Sequence, residues 1–183
     1  MIEDFFIPLF AIAVAECGDK TQLSLFLLSS KTDKRVQLLL GAFLGFLFLD
    51  GMAVLLGSYI SSLVPIFYIK ILSSTIFIFF GFLIFTMDEN NKYKFNKGNG
   101  IFLSGFLLIS LTEFGDKSQI AVGMFSMNFN PVMVFLGSMT SLTLLSIVAI
   151  FFGKFVSERV DKKLMKKISA VVFVLMGILI FVS

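Results

Sequence analysis

The sequence predicts an all-α polytopic membrane protein, with six transmembrane helices arranged as two inverted three-helix repeats. Three observations lead there. Of 183 residues, 57% are hydrophobic and only 15% charged, whereas an ordinary soluble domain carries about a quarter charged residues. The apolar residues fall into six long runs, with charged connectors after the first, third and fifth. One acidic hexapeptide occurs twice, at an offset of 97 residues.

The runs are Phe5–Leu28, Val36–Val64, Ile66–Met87, Ile101–Met127, Val132–Phe152 and Ile168–Val182. A helical span needs about 20 residues. The last run has 15 residues, and it spans if the helix extends into the preceding connector while Lys166 and Lys167 snorkel to the interface. Helices are required because open strands leave backbone groups unpaired in lipid, and the alternation of a closed barrel is absent.

The connectors fix an orientation. Lys31 to Arg35, Asp88 to Gly100 and Lys154 to Lys167 fall on one side of a six-span arrangement and hold twelve of the fifteen Lys and Arg residues. The other side holds Lys70, and Lys20 and Lys117 lie within spans. Basic loops stay in the cytoplasm. Both termini are therefore expected outside, in a bacterial plasma membrane. The first charges, Glu3 and Asp4, are unlike the basic start of a cleavable signal peptide. A net charge of +3 is absorbed by these topology-setting loops, so no nucleic-acid partner is expected.

The halves correspond beyond the hexapeptide. Gly41, Gly57, Ser73 and Gly81 match Gly137, Gly153, Ser169 and Gly177 at an offset of 96. Residues 1–183 read as a single membrane domain, with repeat one at 1–87, repeat two at 100–183 and a cytoplasmic linker at 88–99. Three spans per repeat is an odd number, so the second repeat is inverted. A pseudo-twofold axis then lies in the membrane plane, with both hexapeptides near mid-depth.

Those hexapeptides are Glu16-Cys17-Gly18-Asp19-Lys20-Thr21 and Glu113-Phe114-Gly115-Asp116-Lys117-Ser118, each followed by glutamine, Gln22 or Gln119. A charge at mid-membrane costs about 2.5–3.5 kcal/mol on insertion scales, and folding alone does not require that expense. On a continuous helix, Glu16, Asp19 and Lys20 share a face, as do Glu113, Asp116 and Lys117. Pairs of Lys20 with Glu16 and of Lys117 with Glu113 are then within reach. Gly18 and Gly115 allow close helix approach, or let the backbone unwind and offer carbonyl oxygens.

The chain has no His and one Cys. A His/Cys zinc or copper site is thereby excluded, and a transported proton must ride on a carboxylate. Facing hexapeptides would gather hard oxygen ligands from Glu16, Asp19, Glu113 and Asp116. Thr21, Gln22, Ser118 and Gln119 stand close by. Such a set suits Ca²⁺ or Mn²⁺ more than Mg²⁺, which dehydrates reluctantly. Four carboxylates and two lysines sum to −2, a charge that one divalent cation or two protons would neutralise. Asp50 is a fifth intramembrane carboxylate, matched by Ser146 in the other repeat. It is expected either to support the site or its pathway, or to hydrogen-bond structurally. Cys17 is matched by Phe114, so a thiol ligand is not expected.

Both hexapeptides fit Glu-x-Gly-Asp-(Lys/Arg)-(Ser/Thr), and the chain thereby resembles the Gdt-one family of membrane cation transporters in motif, length and 3+3 duplication. The resemblance implies secondary transport of Mn²⁺ and Ca²⁺ in exchange for protons, with bacterial relatives acting as manganese exporters. It implies that Glu16, Asp19, Glu113 and Asp116 bind the cation, with Thr21 and Ser118 as additional ligands. No enzymatic activity and no resident cofactor are expected. The partners are the divalent cation, protons and the lipid bilayer, with a homo-oligomer left open. A cation channel is the alternative. An intramembrane aspartyl protease is disfavoured, because Lys20 and Lys117 directly follow each Asp and oppose the shared proton of an aspartyl dyad.

Overall fold

The computed structural model describes residues 2–30, 32–86, 100–159 and 162–182; within these, the side chains of Lys20, 153–159, 162, 163, 165 and 166 are not described. The linker 88–99 lies outside the described residues. All elements among the described residues are helices: α1 (Ile2–Glu16), α2 (Lys20–Ser29), α3 (Arg35–Leu63), α4 (Ile66–Thr86), α5 (Ile101–Thr112), α6 (Lys117–Asn128), α7 (Pro131–Arg159) and α8 (Lys162–Val182).

Local chemistry sets the boundaries. Pro65 disfavours helical backbone at the residue before it, and Val64 is accordingly extended, ending α3. Pro131 opens α7, where its missing N–H leaves no bond unmade. The Asn130 side chain caps the same end, its Oδ1 accepting from the N–H groups of Val132 and Met133 at 3.1 and 3.2 Å. The last helix begins at Lys162 and runs 21 residues, so the short apolar run is extended backward into the basic connector.

Three of the described helices are long and apolar enough to cross a membrane: 35–63, 66–86 and 131–152. Their outward faces carry large apolar side chains, among them Leu55, Leu56, Phe67, Phe79, Phe82, Leu144 and Phe152. Exposed apolar surface on this scale is the mark of a lipid-facing protein. The first and fourth runs are not continuous. Each is broken at its acidic hexapeptide into two half-helices, α1–α2 and α5–α6.

Packing is reciprocal between the halves. α3 lies against α5 and α6, and α7 lies against α1 and α2. The glycines show the same exchange. A Cβ at Gly41 would collide with the Phe102 carbonyl, and one at Gly137 would collide with the Phe5 carbonyl. Phe5 and Phe102 are themselves separated by the repeat offset of 97. Between α4 and α8, a Cβ at Gly81 would sit 2.9 Å from the Ala170 carbonyl, and one at Gly177 would sit 2.9 Å from that of Ser74. Bare backbone at these places lets helices touch directly, which is how membrane helices associate where burial from water offers no drive. The interior is apolar around Phe46, Phe77, Phe125 and Phe173, with the Phe77 ring 4.8 Å from Phe125 and 5.6 Å from Phe173.

Candidate cation-binding site

Each hexapeptide is a break between half-helices. Glu16 ends α1 and Glu113 is the C-terminal cap of α5. The chain then reverses its local twist at Gly18, φ 80°, and Gly115, φ 73°. This left-handed conformation places a Cβ too close to the following carbonyl in other residues, and glycine adopts it freely. The turns close when the Asp19 N–H donates to the Glu16 carbonyl at 3.2 Å and the Asp116 N–H to the Glu113 carbonyl at 3.0 Å. The next helices begin immediately, at Lys20 and Lys117.

The continuous-helix geometry expected from spacing is therefore corrected. Glu and Asp of one motif do not share a helical face; the turn brings them together. The N-termini of α2 and α6 carry the positive ends of their dipoles, and both start at the acidic positions. Asp116 occupies the N-cap of α6, where aspartate ordinarily bonds the helix's own N–H groups. It makes no such side-chain bond.

Carboxylates from both motifs converge. Ligand oxygens of Glu16, Asp19 and Asp116 all lie within 4.8 Å of one another. Glu16 is fully buried, and neither of its oxygens has a hydrogen-bond partner among the described residues. Glu113 is also buried, close enough to Glu16 for their charges to interact. One Glu113 oxygen, Oε2, accepts from Ser118 Oγ at 3.1 Å, and Oε1 has no partner among the described residues. Buried polar atoms are nearly always satisfied. Glu113 is not one of the three clustered carboxylates, and the unsatisfied Glu16 oxygens beside Asp19 and Asp116 are donors of the kind a hard cation takes.

The charge pairing differs from the expected i,i+4 pattern. Lys117 Nζ lies 2.6 Å from Asp19 Oδ2, in the opposite repeat. The side chain of Lys20 lies outside the described residues. Hydroxyls and amides frame the site. Thr21 Oγ1 donates to Thr112 Oγ1 at 3.3 Å, and Thr112 donates onward to the Leu108 carbonyl at 2.8 Å. Gln119 accepts from the Gly115 N–H at 2.6 Å and donates to the Leu49 carbonyl at 3.3 Å, pinning the second turn to α3. Gln22, its counterpart, is buried with neither amide atom bonded among the described residues.

Asp50 is buried but does not join the three clustered carboxylates. The Ser138 side chain of α7 lies near it but donates to the Phe135 carbonyl at 3.1 Å, and Asp50 Oδ2 has no partner among the described residues. Phe114 is 67% exposed and Cys17 half-buried, in keeping with an outward-facing second motif position. Thr112 was not singled out by sequence, because it matches Ala15 and so breaks the repeat. Its place directly before the motif was the available signal.

Broken helices meeting at buried carboxylates, inside a lipid-facing helical bundle, define an integral membrane cation transporter. The chain matches the divalent cation/proton antiporter GDT1 family over residues 4–92 and 101–183, and it belongs to that family. It is 26% identical over 174 residues to a Vibrio cholerae protein described as a "putative manganese exporter", covering 94% of this chain and 87% of that protein. It is also 26% identical over 200 residues to a GDT1-like protein of Synechocystis, covering 97% and 96%. A GDT1-like protein of Oryza sativa is 34% identical over 83 residues, 45% of this chain and 36% of the relative. No solved structure matches significantly.

Proposed function

We propose that this protein exports Mn²⁺ or Ca²⁺ from the cytoplasm in exchange for protons, by alternating access to one site between its two motifs. The observation that carries the reading is the convergence of Glu16, Asp19 and Asp116 within 4.8 Å, with both Glu16 oxygens buried and unsatisfied. Glu113 completes the set through its unpartnered oxygen. The donors are carboxylates, the choice for hard divalent ions.

Each broken pair, α1–α2 and α5–α6, together makes one span, giving six. The reciprocal glycine contacts support two inverted three-helix repeats, 1–87 and 100–183. Rocking one repeat against the other opens the site to alternate sides. The basic connectors face the cytoplasm and both termini face outside. Family membership supports the exchange, and the Vibrio relative supports manganese as cargo.

Charge balance explains coupling. The four carboxylates, with Lys20 and Lys117, sum to −2. The site is neutral with one divalent cation or with two protons, and crosses the membrane's low-dielectric centre at low energy in either form. Proteoliposomes carrying the purified protein test this through Mn²⁺ and Ca²⁺ flux under an imposed pH gradient. Flux is expected to follow the gradient and to disappear in Glu16→Gln and in Glu113→Gln. Unchanged flux in both variants removes the proposed site.

A further inference from the structure

The Lys117 ammonium stands 2.6 Å from Asp19 Oδ2, and Asp19 also supplies an oxygen to the three-carboxylate cluster. Asp19 is buried and Lys117 largely so, with 4% and 11% of their side-chain surfaces exposed. They come from different repeats, 98 positions apart. From these contacts we infer that Lys117 is a tethered competitor of the transported cation, holding Asp19 when the site is empty and leaving it when metal binds. The inference rests on the proposed cation site and adds a role for a residue that binds no cargo.

An ammonium and a divalent cation cannot share one carboxylate in a poorly solvated space without strong repulsion. The lysine stem is a flexible four-carbon tether with a compact charge, suited to moving aside. When metal leaves, the buried Asp19 carboxylate would otherwise lose a close positive charge, which is unfavourable. Return of Lys117 restores the pair. The ammonium thus weakens metal binding, which helps release, and offsets the charge of the metal-free site until protons load it for the return. Its origin in the second repeat matters too. Binding of metal to Asp19 breaks a bond that ties the two halves together, so occupancy and the relation of the repeats become linked.

The measurements are equilibrium Mn²⁺ binding and net Mn²⁺ flux on the full-length protein. In Lys117→Met, affinity is expected to rise about tenfold or more, because the competing charge is gone. Net proton-driven flux is expected to fall, because release and return are both slowed. Lys117→Arg keeps the charge and is expected to bind Mn²⁺ more weakly than Lys117→Met. Tighter binding with slower transport is a result that a folding defect does not produce.

A second comparison serves if Lys117→Met does not fold. Asp19→Asn leaves the ammonium at the site without its carboxylate, and the double variant Asp19→Asn/Lys117→Met removes both charges. The double variant is expected to bind Mn²⁺ more tightly than Asp19→Asn alone. Equal or weaker binding in the double variant, or weaker binding in a folded Lys117→Met, overturns the inference. If the parent protein itself binds neither Mn²⁺ nor Ca²⁺, the proposed site fails as well. If the parent binds and only the lysine variants disagree, the site stands and the competitor role falls.

Discussion

Two glycines determine whether the acidic side chains can meet. Gly18 and Gly115 hold φ values of 80° and 73°, which other residues adopt at a penalty of roughly 1–2 kcal/mol. A Cβ at Gly115 would meet nothing within 4 Å, so Gly115→Ala isolates the backbone effect from any clash. It is expected to lower stability by about 1 kcal/mol and to reduce transport, whereas Gly115→Asn, better suited to the left-handed region, is expected to be milder. Thermal unfolding in detergent and flux in vesicles measure the two effects. At this scale the sequence was partly legible. Buried carboxylates, glycine and the absence of His pointed to an oxygen-ligated site. The contact of Lys117 with Asp19 was not legible, since spacing along one helix favoured Glu113 as its partner. That pairing depends on how two distant turns are presented to each other, which local periodicity does not contain.

Helix packing turns those turns into a common site. Gly41 and Gly137 let α3 and α7 reach the backbones of α5 and α1, where a Cβ would collide with the carbonyls of Phe102 and Phe5. Gly41→Ala and Gly137→Ala are each expected to destabilise the fold by about 1–3 kcal/mol through overpacking. Gly51 is the control, since a Cβ there meets nothing within 4 Å. Gly51→Ala is expected to be neutral or stabilising by up to about 1 kcal/mol, because alanine favours helix. Similar losses at all three positions would mean that the reciprocal contacts do not carry the packing. The helical class and the boundaries of α3 and α4 followed from the apolar runs and Pro65. The breaks at 17–19 and 113–116 were only one of two options in sequence, because hydrophobicity continues through them and does not report backbone twist.

At the scale of the whole molecule, the proposal is that two inverted halves enclose one site. Its direct topological consequence is that the α2–α3 and α6–α7 connectors face opposite sides. Asp33 and Asn130 are exposed in those connectors. With Cys17 replaced by Ser, a cysteine at position 33 is expected to react with an impermeant thiol reagent only from the cytoplasmic side. One at position 130 is expected to react only from outside. Labelling of both from the same side contradicts the inverted arrangement. The duplication and charge asymmetry were legible in the chain because they are properties of composition and order. The asymmetry within the site, with Gln119 bonded to the second turn and Gln22 left without a partner among the described residues, was not, because near-identical motifs predict identical surroundings.

Exchange of metal for protons at the shared carboxylates is tested most directly by following proton movement driven by the metal itself. Vesicles containing the protein and a trapped pH-sensitive dye, at equal pH inside and out, are given an inward Mn²⁺ gradient. The account predicts that the interior becomes alkaline as metal enters and protons leave, and that both fluxes vanish in Glu16→Gln. Mn²⁺ entry through the parent protein with no accompanying proton movement would contradict it and identify a channel instead.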